Sequence, residues 1–354
     1  MRGKQIGIIA VIILVIGAFV IVPIINGGGN KEETIAAKFS FLENLATPFG
    51  KKVPLSFEIL AEDVTSSSIY LNDSLLKTWQ NPRGKITFTL DVSLFGLGAK
   101  TLSLVSTLAN GQEQNDTRMI RIVSDEAPMK LKAYVLKTFV HNPSSFTQGL
   151  EFNNGQLFES TGLNDKSKVA QVELESGKIT KEIGLDGTYF GEGITILGDQ
   201  VYQLTWQNQK CFVYDKNSLQ LKTEFSYTNE GWGLCNDGKS LIMSNGSEFI
   251  TFRNPETFQI ERTIEVYDQI GPRVRLNELE YINGKIYANI WQLDIVIVID
   301  PQTGKVLQEI DCSDVVASGR GAGEVLNGIA FNSKTNKIYM TGKNWSNLLE
   351  VEIK

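Results

Sequence analysis

Few residue types in this chain can carry acid–base or metal chemistry. His141 is the only histidine among 354 residues, and Asn142 and Pro143 follow it, which indicates a loop residue rather than a catalytic one. A histidine-rich metal site is therefore excluded, and a serine–histidine–aspartate triad would have to use this single ring. If the protein is an enzyme, its proton transfers must rest mainly on carboxylates, lysine or tyrosine.

The cysteines and the charge exclude further classes. Cys211, Cys235 and Cys312 are widely spaced and form no CxxC pair, which excludes a disulfide framework and a cysteine zinc site. One disulfide bridge stays open as an alternative, although inert buried thiols are the preferred interpretation. The net charge of −6 provides no basic surface for nucleic acid, so we expect no nucleic-acid partner.

Glu192 is the candidate acid, and it lies between Gly191 and Gly193 at a position that recurs. Five segments align with one another: TQGLEFNNGQLFESTG, GEGITILGDQVYQLTW, GWGLCNDGKSLIMSNG, LNELEYINGKIYANIW and LNGIAFNSKTNKIYMTGK. The aligned positions are Gln148, Glu192, Trp232, Asn277 and Asn327. Each precedes a predicted strand, and the copies recur about every 40 to 50 residues.

The second strand of each segment returns to the same face. These strands end at Gly162, Trp206, Gly246, Trp291 and Lys343. Because the two strands of a hairpin run in opposite directions, both sets meet at one mouth. The mouth would gather one acid, one lysine, amides and indoles, and aromatic walls would raise the pKa of Glu192 toward neutrality. The alternatives are a solvated loop acid and purely structural tryptophans, Trp345 above all.

The repeats predict the elements that position these residues. Each copy contains about four short strands, which is typical of a propeller blade. The last copy ends after its third strand, NLLEVEIK, and the segment KLKAYVLKTF at 130–139 resembles the missing fourth strand. Pairing the two would close the ring and remove an exposed edge. We therefore predict an all-β fold with a five-bladed β-propeller at 130–354.

Residues 36–125 contain short alternating segments with polar or glycine-bearing turns, which favour a small immunoglobulin-like β-sandwich. This region holds no cluster of titratable groups, so a spacer or docking role is expected.

The amino terminus predicts a membrane anchor. Ile6 to Ile25 is an uncharged run preceded by Arg2 and Lys4, and about 20 residues suffice to cross a bilayer. A cleaved signal peptide is the alternative, but the run is long and lacks an A-x-A-like site. We expect an uncleaved signal-anchor at 1–26 and a linker at 27–35. The domains would then lie outside the cytoplasm, in the periplasm or at the cell surface.

Nine motifs spread over every repeat resemble a known family. They are FTQGLEF, LFESTGL, FGEGIT, VYQLTW, EGWGL, LNELE, YANIW, LNGIAF and TGKNW. Together, from about 132 to 354, they resemble the plant (papaya)-type glutaminyl-peptide cyclotransferases, a family of five-bladed propellers with plant and bacterial members. The resemblance implies conversion of the N-terminal glutamine of peptides or proteins to pyroglutamate, with release of ammonia.

The resemblance also implies residue roles. The acid/base glutamate of the family falls on Glu192, with Gln148, Asn277 and Lys343 to orient the amide or stabilise the oxyanion. The implied substrate-binding walls are Phe146, Phe190, Trp206, Trp232 and Trp291. We expect no cofactor to be required for catalysis and no zinc mechanism. The family propeller can bind a structural metal ion, with calcium as a candidate, but spacing locates no site for it.

Two other functions stay open at this stage. A non-catalytic propeller could bind a peptide or glycan at the same face, displayed on a membrane-anchored stalk. A calcium-dependent propeller hydrolase would need several carboxylates or amides converging on the channel, whereas the predicted mouth offers one acid only, Glu192.

Overall fold

The computed structural model describes residues 35–41 and 44–354. Within these residues, no helix is both long and apolar enough to span a bilayer. The predicted signal-anchor at 1–26 and nearly all of the linker at 27–35 lie outside them.

The N-terminal region folds into two sheets over one core. A three-stranded sheet has the order β1-β3-β6, and a five-stranded sheet has the order β2-β8-β7-β4-β5. The strands are β1 (Ala37–Phe39), β2 (Leu45–Pro48), β3 (Lys52–Ile59), β4 (Val64–Leu71), β5 (Ser74–Gln80), β6 (Lys85–Asp91), β7 (Gly98–Leu108) and β8 (Glu113–Val123), with a 3-10 turn at Val92–Leu94. Alternate residues such as Ile69 and Leu71 on β4 point into a shared core with Leu102 and Leu104 of β7. Two sheets over one core make a β-sandwich, and kinship with immunoglobulin domains stays a prediction.

Each of the first four repeats forms four antiparallel strands in chain order, and the fifth contributes three. The strands are β10 (Thr147–Asn153), β11 (Gln156–Thr161), β12 (Lys168–Val172) and β13 (Ile179–Gly184); β14 (Gly191–Leu197), β15 (Gln200–Thr205), β16 (Lys210–Asp215) and β17 (Leu221–Ser226); β18 (Leu234–Asn236), β19 (Leu241–Ser244), β20 (Phe249–Arg253) and β21 (Ile260–Glu265); β22 (Leu276–Ile282), β23 (Lys285–Ile290), β24 (Ile295–Ile299) and β25 (Val306–Asp311); and β26 (Leu326–Asn332), β27 (Lys337–Gly342) and β28 (Asn347–Ile353). A short helix, α1 (Ser313–Gly319), links β25 to β26. Asn154-Gly155 and Asn283-Gly284 adopt positive φ in tight hairpin turns, which favour these two residue types.

The first strand of each repeat is the innermost. β10 is buried along nearly its whole length, whereas β13 is exposed along nearly all of it. The inner strands contact one another in chain order, and β26 returns to β10, so the repeats enclose one axis. Apolar clusters between neighbouring sheets form the core, as in the cluster around Ile242, Ile286 and Ile297. The arrangement is propeller-like.

One strand corrects the predicted architecture. β9 (Met129–Val140) pairs antiparallel with β28, from Asn347↔Val140 to Ile353↔Ala133, which confirms the predicted pairing of residues 130–139 with the last strand. However, β9 also pairs in parallel with β25, from Gln308↔Met129 to Asp311↔Lys132. The last two repeats therefore share one eight-stranded sheet.

The repeats thus form four sheets, three of them four-stranded, rather than five separate blades. The prediction of a five-bladed β-propeller was therefore wrong in that form, because the last two repeats share one sheet. The physical reason for the sheet count is that the free edge of β25 accepts β9 as an additional partner.

The two regions are joined by polar contacts. Lys100 forms an ion pair with Glu265 at 2.8 Å, and both side chains are largely buried. Gly98 adopts a φ of +114°, and a Cβ there would lie only 2.0 Å from the Glu265 carboxyl carbon. Ser124 N–H donates to Asp268 O at 3.0 Å. The side chain of Tyr267 completes the core of the N-terminal sheets.

Candidate active site

The ends of the first and second strands meet at one mouth, as the hairpin register requires. Thr147 lies opposite Thr161 at the end of β10 and β11, and Leu276 lies opposite Ile290 at the end of β22 and β23. The residues at the start of the inner strands and those just after the second strands therefore share one face of the repeat region.

A cavity of about 310 Å³ opens at this mouth. Its lining residues are Phe146, Gln148, Phe190, Glu192, Trp206, Trp232, Asn277, Trp291, Gln292, Glu324, Val325 and Lys343. All the site residues predicted from sequence are among them. A cavity of this size accommodates a small side chain together with its backbone.

The remaining residues of the aligned set support the walls. Gly162 leaves room for a ring, because a Cβ there would meet Phe190 at 2.4 Å. Gly246 likewise leaves room for Trp232, because a Cβ there would lie 2.7 Å from the indole ring. Asn327 is fully buried beneath the cavity and donates to Gln148 Oε1 at 3.2 Å.

Glu192 is the buried acid of the cavity, with 5% of its surface exposed. Burial raises the pKa of its carboxyl well above the ordinary value; Lys343 opposes this shift, and Glu230 adds to it. Gln148 Nε2 donates to Glu192 Oε1 at 3.0 Å. The arrangement favours the protonated carboxyl, which is the form that can donate a proton to a leaving group.

Lys343 is the buried lysine of the same cavity. Burial lowers the pKa of its ammonium group, while Glu192 and Glu324 act in the opposite direction. Its Nζ lies 4.8 Å from the centre of the Phe146 ring. Backbone bonds from Lys343 N–H to Val325 O and from Glu324 N–H to Lys343 O, 3.0 and 2.7 Å long, hold the residue at the rim of the cavity.

The side chain of Gln148 has a fixed orientation. Its oxygen accepts from Asn327, so its amide nitrogen points to Glu192. Asn277 is also buried, and its backbone oxygen accepts from Ser244 Oγ at 2.7 Å. The amide of Gln148 is thereby held next to the acid in one orientation.

The walls are edge-to-face aromatic pairs. Phe190 contacts Phe146 and Trp206, with ring centres 6.1 and 5.7 Å apart. Trp232 and Trp291 form a second pair at 5.6 Å and 84°. Such pairs stabilise each other and present an apolar surface to whatever enters.

Four functional candidates were missed from the sequence. Gln292, Glu324 and Val325 line the cavity from loops that lie outside the repeat alignment. Glu230 lies behind the walls and accepts from the indole nitrogens of Trp206 and Trp232. The only available signal was the motif EGWGL, of which Glu230 is the first residue.

Other residues discussed from sequence have structural positions. His141 is buried; its Nδ1 lies 2.8 Å from Trp345 O, and its Nε2 lies 3.0 Å from Glu159 Oε1. Burial disfavours the charged forms of His141 and Glu159. Their mutual attraction outweighs burial, so it raises the pKa of His141 and lowers the pKa of Glu159. Trp345 is fully buried in the core, as the structural alternative expected.

The three cysteines are free and buried, which confirms the preferred interpretation. In residues 35–41 and 44–354, no group of three His, Cys, Asp or Glu side chains is placed to hold a metal ion. Catalysis without a cofactor stays a prediction.

Comparisons with known proteins agree with this site. The family model for glutamine cyclotransferase matches residues 101–353, which is more than half of the chain. The chain belongs to the glutamine cyclotransferase family. The match begins within β7, so it includes the last part of the N-terminal sheets.

Two relatives extend this result. The chain is 40% identical over 228 residues to a glutaminyl-peptide cyclotransferase of Arabidopsis thaliana, covering 62% of this chain and 71% of the relative. It is also similar to the crystal structure of the glutaminyl cyclase of Myxococcus xanthus, with 37% identity and a TM-score of 0.60. That match covers 64% of this chain and 98% of the solved one. The family predicted from the nine motifs is confirmed.

Proposed function

We propose that this protein is a glutaminyl-peptide cyclotransferase in which Glu192 moves the protons. The observation that carries the proposal is a buried carboxyl with a raised pKa inside an aromatic cavity of a chain of this family. The substrate is a peptide or protein with a free N-terminal glutamine.

The reaction needs no nucleophile from the protein. The α-amine of the substrate attacks its own γ-carboxamide carbon, so one C–N bond forms and the bond to the amide nitrogen breaks. The task of the cavity is to hold the glutamine side chain folded back on its amine. The aromatic walls suit this task because the side chain is small and uncharged.

The proton balance is met by one carboxyl group. The attacking nitrogen must lose a proton, and the amide nitrogen leaves as ammonia only after gaining one. Protonated Glu192 donates to the leaving nitrogen, and its carboxylate takes the proton of the attacking amine. The raised pKa is consistent with this role, since the group must hold a proton near neutral pH.

Charge that develops on the amide oxygen needs donors. Lys343 and Asn277 line the cavity and are our candidates for this role, whereas Gln148 is occupied in orienting Glu192. Donors in a dry cavity act more strongly than in water. The aromatic walls also keep out water, which would otherwise compete with the amine.

The test is ammonia release from a Gln-initiated peptide by the purified full chain, with mass spectrometry of the product. We expect a product lighter by one ammonia and no effect of strong zinc chelators. The alternative is a propeller-like module that only binds peptides or glycans. If the wild type leaves every Gln-initiated peptide unchanged, the binding module replaces the enzyme as the proposed function.

We also propose that the described residues act outside the cytoplasm. The support is the uncharged run from Ile6 to Ile25 after Arg2 and Lys4, which has the pattern of an export signal. A reporter that is active only after export, fused after Lys354, tests this. A reporter without activity in cells that make the fusion would contradict it.

A further inference from the structure

We propose that Glu230 is a positioning residue that joins Trp206 and Trp232 into one wall and places a negative charge behind the cavity that contains Glu192. The inference rests on the proposed function, because the wall and the acid belong to its site. Glu230 is not among the residues that line the cavity, so it acts through its neighbours.

The geometry links two repeats through one carboxylate. Glu230 Oε2 accepts from Trp206 Nε1 at 2.8 Å and from Trp232 Nε1 at 2.9 Å. Its other oxygen, Oε1, accepts from Gln207 Nε2 at 3.1 Å. Trp206 follows β15 and Trp232 precedes β18, so the carboxylate connects walls that come from different sheets.

The loop that carries Glu230 is itself fixed. Gly231 N–H donates to Trp206 O at 3.1 Å, and Trp232 O accepts from Gly193 N–H at 2.7 Å. A Cβ at Gly231 would lie 2.2 Å from Tyr227 Oη, so only glycine fits this turn. The position of the carboxylate is therefore set by the backbone and not by the indoles alone.

Trp206 depends on this contact more than Trp232 does. The residue is 36% exposed, and its ring packs edge-on against Phe190 with ring centres 5.7 Å apart. The hydrogen bond to Glu230 fixes the direction of the indole plane. Without it, the ring gains freedom and the cavity loses the shape that holds a folded-back side chain.

The carboxylate of Glu230 carries a charge. Burial opposes this charge, but the hydrogen bonds from Trp232, Gln207 and Trp206 outweigh burial and lower the pKa. The charge acts on Glu192, which it helps to keep protonated. The other titratable groups that interact with Glu192 are Lys343, which opposes this effect, and Tyr227.

The two roles can be separated by substitution. Glu230→Gln keeps an oxygen that can accept from both indoles and removes the charge. Glu230→Ala removes both the acceptor and the charge. Glu224→Gln is the matched control, because Glu224 is an exposed acid on β17 whose partner, Lys210, lies 2.7 Å away.

The readout is the pH dependence of kcat/KM with a Gln-initiated peptide. A productive complex contains one proton, shared between Glu192 and the α-amine. The pH profile of kcat/KM is therefore bell-shaped, and one of its limbs reports the pKa of Glu192 in the free enzyme. Loss of a neighbouring negative charge lowers the pKa of Glu192. In Glu230→Gln that limb should move to lower pH by roughly one unit, with KM changed by less than about twofold.

In Glu230→Ala we expect the same shift and a KM raised by about tenfold, the size expected for loosened aromatic contacts. Glu224→Gln should keep the wild-type profile and KM. A wild-type profile in Glu230→Gln overturns the role of the charge, and a wild-type KM in folded Glu230→Ala overturns the role in the wall.

The outcomes separate this inference from the proposed function. A wild type without turnover defeats the function itself, whereas an active wild type with unshifted variants defeats only the role of Glu230. If Glu230→Ala does not fold, Trp206→Phe replaces it, since it keeps the ring system apolar and removes one of the two indole donors. An unchanged KM in folded Trp206→Phe then overturns the role in the wall.

Discussion

Replacing Glu192 by glutamine is the most direct test of the proposed chemistry. The substitution keeps the shape of the side chain, and the glutamine oxygen can still accept from Gln148 Nε2, which lies 3.0 Å from Glu192 Oε1. It removes the ability of the side chain to give up and regain a proton. The group is 5% exposed, so bulk water cannot replace it.

The expected loss follows from the role. A positioned general acid–base contributes about 10²- to 10⁴-fold to a rate, so kcat of Glu192→Gln should fall by that factor. This corresponds to about 3 to 5 kcal/mol of activation free energy. KM should change much less, because the aromatic walls are intact.

Stability should change in the opposite direction. The pKa of Glu192 is higher in the folded protein than in the unfolded chain, so the unfolded chain loses this proton first. The free energy of unfolding therefore falls as pH rises above about 4.5. Glu192→Gln removes this cost and should be at least as stable as the wild type at pH 7. Relative to the wild type, the variant should gain more at pH 7 than at pH 4.

The assay combines initial rates of ammonia release with thermal melting at both pH values. Glu182→Gln is a suitable control, because Glu182 is exposed on β13 and pairs with Lys168 at 2.8 Å. A folded Glu192→Gln variant with wild-type kcat would refute the proton-shuttle assignment. A variant that melts well below the wild type at pH 7 would refute the account of its burial.

Three further changes are expected to have distinct effects. Lys343→Met removes a buried cation but keeps a long side chain, so kcat measured from initial rates should fall at least about tenfold, more than KM changes. Trp291→Leu opens one aromatic pair, and KM in the same assay should rise about tenfold with a smaller change in kcat. Glu280→Gln should flatten the pH dependence of stability, measured by urea unfolding between pH 5 and pH 7. Burial raises the pKa of Glu280, and it raises the pKa of Glu151 to about 7. Because the unfolded chain loses these protons at lower pH than the folded protein does, the free energy of unfolding of the wild type falls as pH rises. An equal slope in the variant, which keeps the acceptor for Phe331 N–H, would contradict this.

Much of the fold was predictable because the repeat is visible in the sequence. Alternating apolar residues indicate which face of each strand is buried, and the aligned turns give the hairpin register. The pairing of β9 with β28 could be predicted because the last repeat ends after its third strand and leaves an edge without a partner. The parallel pairing of β9 with β25 did not, since alternation carries no information about which strand lies along an edge.

The site was predictable where it follows the register. Glu192, Trp206 and Lys343 occupy aligned ends of strands, and the family resemblance supplied their roles. Gln292 and Glu324 lie in loops whose shapes depend on tertiary contacts: Gln292 adopts a φ of +66°, and Trp345 Nε1 donates to Glu324 O at 3.1 Å. Propensities of single residues do not encode such contacts.

The pairing of β9 has a consequence for how the chain acquires its structure. Residues 129–140 are made early, yet their partners on β25 and β28 lie more than 160 residues later, as in Gln308↔Met129 and Asn347↔Val140. Contacts at such separation form slowly, because a long loop must close first. A growing chain therefore carries β9 unpaired until β25 has been made, and one edge of β9 stays unpaired until residues 347–353 follow. Since Lys343 lies just before β28 and lines the cavity together with Phe146, the cavity is completed only after the last strand has been made.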